Sequence, residues 1–471
     1  MERREAEAIY DAGREVVVEM LLRMDRQIQQ LTARVDRLER ELAKSSRNSS
    51  QPPSSDRAGK QPPKRGKGRS PRSQGAQPGH EGRGRDLLPS WAVDEIVEHW
   101  PARCRCGHVF AEADRVAVSS PARHQVEELP QISVALLEHQ CQRARCPGCG
   151  EVRAGELPAE VAGSAFGPRF QAAVATLAVR NRISRRDTVE LFEELFGARI
   201  SAGSVDRILT RAGDALELPY EQLHAKLLAS RHLNADETGW RLQGHRRTLW
   251  GAFTDKIAVY RIAEDRHEDR ARDLLHGHQG VVTSDRWWAY NHLPLNRRQI
   301  CWSHLQRDFT AQAEGLDAEK ELGEAGLRIC DELFWAWEIY QHTRERKELK
   351  RRIRLLRREL KPLLRQYSGK APRYKRTRGL ARNLLKVWPS LWTFADKPGV
   401  EPTNNHAERG LRGAVIYRKL SLGSQSEQGE RRIERLLSAS TTCRLQRRSL
   451  FEYLSELLAA QSRGDPIPRL V

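Results

Sequence analysis

Long apolar runs are missing from this 471-residue chain. No stretch of about 18 apolar residues occurs, which argues against a transmembrane helix. The opening Met1-Glu-Arg-Arg-Glu-Ala-Glu7 is charged and has none of the apolar segment that a secretory signal needs. The expected location is therefore the cytoplasm, a reducing compartment. No basic amphipathic anchor helix is evident, so no membrane partner is expected. Cysteine is sparse at eight residues, and five of them fall between Cys104 and Cys149. That clustering suggests a metal site ahead of a disulfide framework. A Gly-rich phosphate loop and a Ser-His-Asp order are both absent, so ATP use and serine-hydrolase chemistry have no support.

What the chain has is positive charge. Lys and Arg number 81 against 62 Asp and Glu, a formal charge of +19, and the pI is near 9.9. A balance this basic points to a polyanionic partner, and nucleic acid is preferred over a membrane surface. A hydrophobic share of 39% with 30% charged residues fits several folded domains joined by polar segments.

The organisation follows from composition and periodicity. In residues 1–44, Val17, Leu21, Met24, Ile28, Leu31, Val35, Leu38 and Leu42 recur in steps of three and four, the seam of a self-associating coiled coil. An amphipathic helix packed on its own protein is the alternative. Residues 45–88 hold almost no apolar side chains, and ordering them cannot offset their conformational entropy. This segment reads as a disordered basic linker. Residues 89–160 form a small module around the cysteines. Cys146-Pro-Gly-Cys149 is a strong zinc half-site, because its tight turn points both thiolates at one ion. Its expected partner, Cys104-Arg-Cys106, is one residue short of a Cys-x-x-Cys knuckle, and Cys141, His108 and His139 are alternative ligands. Structural Zn²⁺ is the expectation, against cysteines that merely serve as small buried residues. Residues 161–230 read as helices in a helix-turn-helix-like DNA-binding arrangement, stopped at Gly197 and restarted with Ser201 or Ser204 as N-cap, with Ser204 and Arg207 as DNA contacts. From His232 the period becomes that of strands: 231–310 should be an α/β meander, 311–400 a basic helical insertion, 401–440 a return to the core and 441–471 a helical tail.

Three acidic residues carry the chemistry. Asp236 lies mid-strand in Leu233-Asn-Ala-Asp-Glu-Thr-Gly-Trp-Arg-Leu242, Asp285 ends the strand Val281-Val-Thr-Ser284, and Glu408 opens a helix in Thr403-Asn-Asn-His-Ala-Glu-Arg-Gly-Leu-Arg412. Carboxylates brought from separate elements to one point suit two Mg²⁺ (or Mn²⁺) ions, which hold the attacking and leaving oxygens of a phosphoryl transfer. Glu237 rivals Asp236, but neighbouring strand residues face opposite sides. Asp308 and Asp331 rival Glu408 and read as surface carboxylates in helix interiors. Asn404, Asn405, Arg409 and Arg412 would position phosphate or the carboxylate, with helix capping by the asparagines as the alternative. Trp240, Trp287 and Trp288 are candidates for base stacking or for the core. Cys301 and His304, three apart, read as helix packing.

These residues together resemble the insertion sequence 66 transposases. The resemblance rests on the seam, Asn48-Ser-Ser-Gln-Pro-Pro-Ser-Ser-Asp56, Gly75-Ala-Gln-Pro-Gly-His80, the cysteine segment, Ala235-Asp-Glu-Thr-Gly-Trp240, Ser284-Asp285 with Tyr290, Cys301-Trp-Ser-His304 and Thr403-Asn-Asn-His-Ala-Glu-Arg409. The order is kept over nearly the whole chain, although the Cys104–Cys106 knuckle departs from the family pattern. The resemblance implies a multidomain α+β protein with a ribonuclease-H-like core and an Asp-Asp-Glu triad. It further implies Mg²⁺-dependent cutting and joining of DNA at terminal inverted repeats, and accessory proteins from the same element. An idle DNA-binding regulator and a structure-specific nuclease are the competing functions.

Overall fold

Strand formation begins where β-branched and aromatic residues alternate with polar ones. In the computed structural model, which describes residues 10–11, 13–43, 86–315, 318–369 and 375–470, three antiparallel strands follow one another: β3 (His232–Leu242), β4 (His245–Phe253) and β5 (Ala258–Ala263). Gln243 and Gly244, both at positive φ, make the tight turn between the first two. Helix α6 (Glu268–Leu274) then crosses back, so that β6 (Val281–Ser284) lies parallel to β3 and β7 (Arg298–Ile300) parallel to β6. The result is a five-stranded mixed sheet in the order β5-β4-β3-β6-β7. The order of three antiparallel strands, a helix and a further strand matches expectation, while the parallel pairing of β6 with β3 was not read. The three-residue β7, too short to carry a period, went unread.

Immediately before the sheet run α2 (Pro168–Val179), α3 (Arg185–Phe196), α4 (Ala202–Ala215) and α5 (Glu217–Leu228). Gly197 in the left-handed region ends α3, and the Ser201 hydroxyl accepts from Ser204 N to cap α4. Beyond the sheet come α7 (Trp302–Ala313), α8 (Ala318–Thr343), α9 (Arg346–Tyr367) and α10 (Lys375–Lys386), the long helices expected as an insertion. Then follow α11 (Asn405–Ser421), α12 (Glu427–Leu445) and α13 (Leu450–Arg463). The expected boundary at 440 falls inside α12, so the tail is not separate: α13 returns to α2, where Arg169 pairs with Glu452 at 3.0 Å.

Two apolar cores form. One joins α2–α5, the sheet and α11–α13; the other joins α7–α10, the segment after them, and Val281 and Ile300 of the inner strands. Helix α11 lies close on the sheet because glycines meet there. A Cβ on Gly251 would come within 2.6 Å of the Phe253 ring and 3.0 Å of Leu411, and one on Gly410 would also strike Phe253. The outer edge at β5 is closed by side chains of α12. Glu434, Ser438 and Thr442, four apart, accept from the backbone N–H groups of Ile262, Tyr260 and Ala258, two apart. Four helical residues rise about 6 Å and two strand residues about 6.6 Å, so the two ladders stay in step.

The chain divides into two compact units, residues 61–134 and the remainder. The expected cysteine module at 89–160 is therefore split. In the smaller unit, Cys104 N donates to His108 O at 2.8 Å and Gly107 N to Cys104 O at 3.0 Å. In the larger unit, β1 (Arg143–Arg145) and β2 (Val152–Ala154) form a hairpin with the Cys146–Cys149 turn at its tip. Helix α1 (Arg14–Ala43) belongs to the larger unit, and Leu21, Ile28, Leu31 and Val35 of its seam are exposed. The side chains of Leu38 and Leu42, and nearly all of the expected linker at 45–88, lie outside the described residues.

Candidate active site

The central strand β3 sets the site. Its register against β6 pairs His232 with Val281, Leu233 with Val282 and Asn234 with Thr283. Asp236 and Asp285 each lie two residues beyond the last pair. Continued by two residues, that register would bring them level on strands that run about 4.8 Å apart and on one face, and, on top of burial, Asp285 is close enough to raise the Asp236 carboxyl. Asp285 is fixed just past the strand end, its Oδ1 accepting from Trp287 N at 2.9 Å.

Glu408 arrives from the first turn of α11, and that turn is tied to β3. Asn404, wholly buried, donates through Nδ2 to the Ala235 carbonyl at 2.8 Å and accepts from Asn234 Nδ2 at 2.9 Å. Its backbone N–H points at Cys301 Sγ at 3.1 Å, and His406 Nε2 donates to the Thr254 carbonyl at 2.7 Å. The third carboxylate is thus indexed to the backbone one residue before Asp236. Neither capping nor phosphate contact describes Asn404. It is a buried bridge between helix and strand.

The electrostatics follow. Burial pushes the Asp236 carboxyl well above the usual carboxylate range, and the nearby charges of Glu237, Asp285 and Glu408 push it further. Glu408 meets Arg307 at 3.1 Å and His304 at 3.8 Å, both on α7. Burial, then Arg307, lowers the His304 pKa, and its Nδ1 is buried with no hydrogen-bond partner. The helix-packing expectation therefore describes Cys301, which is buried, but misses His304, which stands at the site. Its closeness to Glu408 arises from a separation of 104 residues that no local pattern encodes.

Glu237 occupies the other face. It is buried, Arg266 binds it through Nε at 2.8 Å, and the Tyr290 hydroxyl donates to it at 2.8 Å. Burial raises its carboxyl, then Asp285, while Arg266 opposes the rise. Arg298, nearly inaccessible on β7, donates to the carbonyls of Asp285 and Trp287 at 2.9 and 3.2 Å and so holds the loop that carries Asp285. Burial pushes its pKa down to about 10. Arg266, Arg298 and Arg307 were not singled out in the sequence, where arginine is too common to stand out.

The remaining candidates separate cleanly. Asp308 pairs with Arg286 at 2.8 Å, and Asp331 is exposed on α8. Arg409 and Arg412 are exposed on α11, while Asn405 is half-buried near Ser303. Arg207 is exposed, but Ser204 is buried with its hydroxyl engaged by Ser201 and Arg207, so it presents nothing to a ligand. Trp240 is core, stacked on Tyr417 and bonded to Ser424. Trp287 lies under Arg266, and Trp288 is 43% exposed. Cys104, Cys106, Cys146 and Cys149 are exposed free thiols. Hydrogen bonding from Cys106 lowers the Cys104 thiol, and hydrogen bonding from Cys149 lowers Cys146.

The three carboxylates are the oxygen donors that Mg²⁺ or Mn²⁺ prefers, and the repulsion that raises Asp236 is what a bound cation relieves. Among the described residues, no group of three or more His, Cys, Asp or Glu is gathered so that it could hold a metal ion. At Glu408 the ion pair with Arg307 takes that place.

Comparison with known proteins bears on this arrangement. Uncharacterized protein y4hP of Sinorhizobium fredii (strain NBRC 101917 / NGR234) is 22% identical over 436 residues, 82% of this chain and 76% of that protein. Uncharacterized protein y4qI of the same strain is 25% identical over 237 residues, 46% of this chain and 42% of that protein. A family of unknown function (DUF6444) matches residues 2–86. The family described as Transposase IS66 family matches residues 163–432, which contain the whole sheet and all three carboxylates. By that match, spanning more than half of its length, the chain belongs to the IS66 family of transposases.

Proposed function

We propose that this chain cuts and joins DNA at the terminal inverted repeats of a bacterial insertion sequence, with Asp236, Asp285 and Glu408 as its catalytic triad on a ribonuclease-H-like core. The observation that carries the reading is the indexing of three carboxylates to one strand: Asp285 by register and Glu408 through Asn404. The triad would hold two Mg²⁺ (or Mn²⁺) ions, whose chemistry is to sharpen a water or a DNA 3′-hydroxyl and to stabilise the leaving oxygen. The chain's own part is positional. Trp287 N–H and Arg298 keep Asp285 at its strand end, and Asn404 keeps the helix of Glu408 on β3. Arg307 pairs with Glu408 and would give up that pairing to a bound cation. Arg409, next to Glu408, and Arg412, one turn further on, meet phosphates, and Asn405 supports them.

Around this core, α3 and α4 act as a helix-turn-helix that presents Arg207 to the DNA end. The Cys146–Cys149 turn of the larger unit and, separately, the Cys104–Cys106 turn of the smaller unit each offer a pair of thiol ligands for structural Zn²⁺. Helix α1 pairs with a second copy through its exposed seam, so that two ends are held together. Accessory proteins of the same element complete the assembly in the bacterial cytoplasm. The test is strand transfer in Mg²⁺ with duplexes carrying the element's own ends. Asp236→Asn, Asp285→Asn and Glu408→Gln should each abolish cleavage and joining while end binding is kept. Transfer retained by any one of them removes that residue from the site, and a parent chain that binds the ends but performs no transfer would be an idle DNA-binding regulator.

A further inference from the structure

Helix α9 separates its charges. Its 22 residues carry ten Lys and Arg against two acidic residues. Leu349, Ile353, Leu356, Leu360 and Leu364 are buried in the second core. On the opposite side Lys347, Arg351, Arg354, Arg358, Lys361 and Arg365 recur in steps of four and three. At about 100° per residue this places all six within about 40° of one line along the helix. Five are exposed and Lys361 is half-buried. Both acidic residues, Glu348 and Glu359, fall outside the row.

Most of these cations also lack an ion-pair partner among the described residues. Arg351 pairs with Glu348 and Lys361 lies over the Trp388 ring. Among the described residues, Lys347, Arg354, Arg358 and Arg365 have no ion-pair partner. Like charges three and four apart repel on a helix, so a row of this kind works against the helix that bears it. Acidic residues are available nearby: helix α8, in the same body, has six against two Lys and Arg. They are placed elsewhere, with Arg328 of α8 itself taking Glu359. The positive charge is directional.

We infer that this row on α9 is a docking surface for the phosphate backbone of duplex DNA, outside the triad and the helix-turn-helix. Eighteen residues at 1.5 Å give a straight line of cations about 27 Å long, matching about eight base pairs at 3.4 Å each. Membrane is the poorer fit, because the apolar side of α9 is already buried and cannot insert. The inference rests on the family assignment, which makes DNA the substrate, but not on the identity of the metal ligands.

The experiment measures binding of the full-length chain to a random-sequence 30-base-pair duplex, in EDTA, across a range of salt. Each phosphate contact contributes about 0.9 to the slope of log K against log salt. The triple variant Arg354→Gln/Arg358→Gln/Arg365→Gln should lower that slope by about 2 to 3 and weaken binding at least about tenfold near 0.1 M salt. The corresponding triple Arg→Lys variant keeps the charge and should bind like the parent, which also controls for folding. Because binding is measured in EDTA on a random-sequence duplex, the outcome does not depend on the metal ligands, and failure of the metal-site reading is separable from failure of this one. Parent-like slope and affinity in the Gln variant would overturn the inference, as would equal loss in the Gln and Lys variants. Unchanged DNA binding with lost binding to poly-glutamate would assign the row to an acidic protein partner instead.

Discussion

Two adjacent carboxylates, Asp236 and Glu237, stand on opposite faces of one strand and are treated in opposite ways. On the odd-numbered face, Leu233 and Ala235 are core, and Glu237 has an arginine and a tyrosine hydroxyl of its own. On the even-numbered face, His232, Asn234 and Asp236 form a polar row beside α11. His232 and Asn234 find partners in Thr283 and Asn404. Among the described residues, Asp236 receives only the Glu237 backbone N–H at 2.9 Å, and it is crowded by three further negative charges. A carboxylate with a structural task arrives with its counter-charge, and one left in repulsion is kept for something that comes from outside.

The largest expected effect breaks the uncompensated side. Asp236→Asn should lower Mg²⁺-dependent DNA cleavage by at least about a thousandfold, the order seen when an essential group is removed from a charged catalytic site. In EDTA at neutral pH the same variant should unfold at a higher temperature than the parent. The sign follows from linkage: a carboxyl raised on folding destabilises the folded state once pH exceeds its unfolded pKa, and Asn removes that charge. Calorimetry and a cleavage assay on one preparation check both halves. A lower melting temperature would mean that Asp236 has a partner it does not show.

Much of this was legible in the sequence. The strand, the helix after the meander and the helix start at Glu408 were read from local period and turn chemistry, and the split of Asp236 from Glu237 from strand alternation alone. The roles of His232 and Asn234 beside Asp236 were not read, because a sequence does not say that α11 will come to rest on that face. Asn404 shows the same limit. Its capping role was the local reading, but its partners are Asn234 and Ala235, about 170 residues away. The cysteine segment was read as one module from spacing, and the division of the chain at 134 lies in contacts that spacing does not record.

A second prediction acts on the same polar row through pH. Burial, then the neighbouring His278 and His406, depress the His232 pKa from 6.5 to about 4. A histidine depressed on folding stabilises the protein above its unfolded pKa, and that contribution is lost as pH falls from 6.5 toward 4. His232→Gln should therefore shrink the acid destabilisation in that window by up to about 3 kcal/mol, at about 1.4 kcal/mol per pH unit. Denaturant melts at pH 7, 5.5 and 4.5 measure it, and parallel curves for parent and variant would show that His232 is accessible to protons in the folded state.

The opposite face should answer with stability alone. Glu237→Gln leaves Arg266 without its charge partner. Removing one member of a buried pair costs about 3–5 kcal/mol, but the Arg266 side chain is 48% exposed, and Gln also removes a desolvated charge whose pKa is raised on folding, which offsets part of the loss, so a net loss of at most about 2 kcal/mol is expected. The melting temperature should fall, in contrast to Asp236→Asn, and cleavage at a temperature where both proteins are folded should stay within about tenfold of the parent. Cleavage lost as completely as in Asp236→Asn would make Glu237 a fourth member of the site and erase the distinction between the faces.

The smallest effect isolates one hydrogen bond on that face. Tyr290→Phe keeps the ring, which meets Trp250 edge-on at 6.0 Å, and deletes only the hydroxyl that donates to Glu237 Oε2. A hydrogen bond to a buried carboxylate is worth about 1.5–3 kcal/mol, and Arg266 remains to hold Glu237, so the loss should fall near the lower end. Combined with Glu237→Gln, the two changes should be less than additive, because they remove the two ends of one bond. Urea denaturation of the parent, both single variants and the double variant gives the coupling directly. Strict additivity would mean that the hydroxyl serves another group, and that Glu237 is held by Arg266 alone.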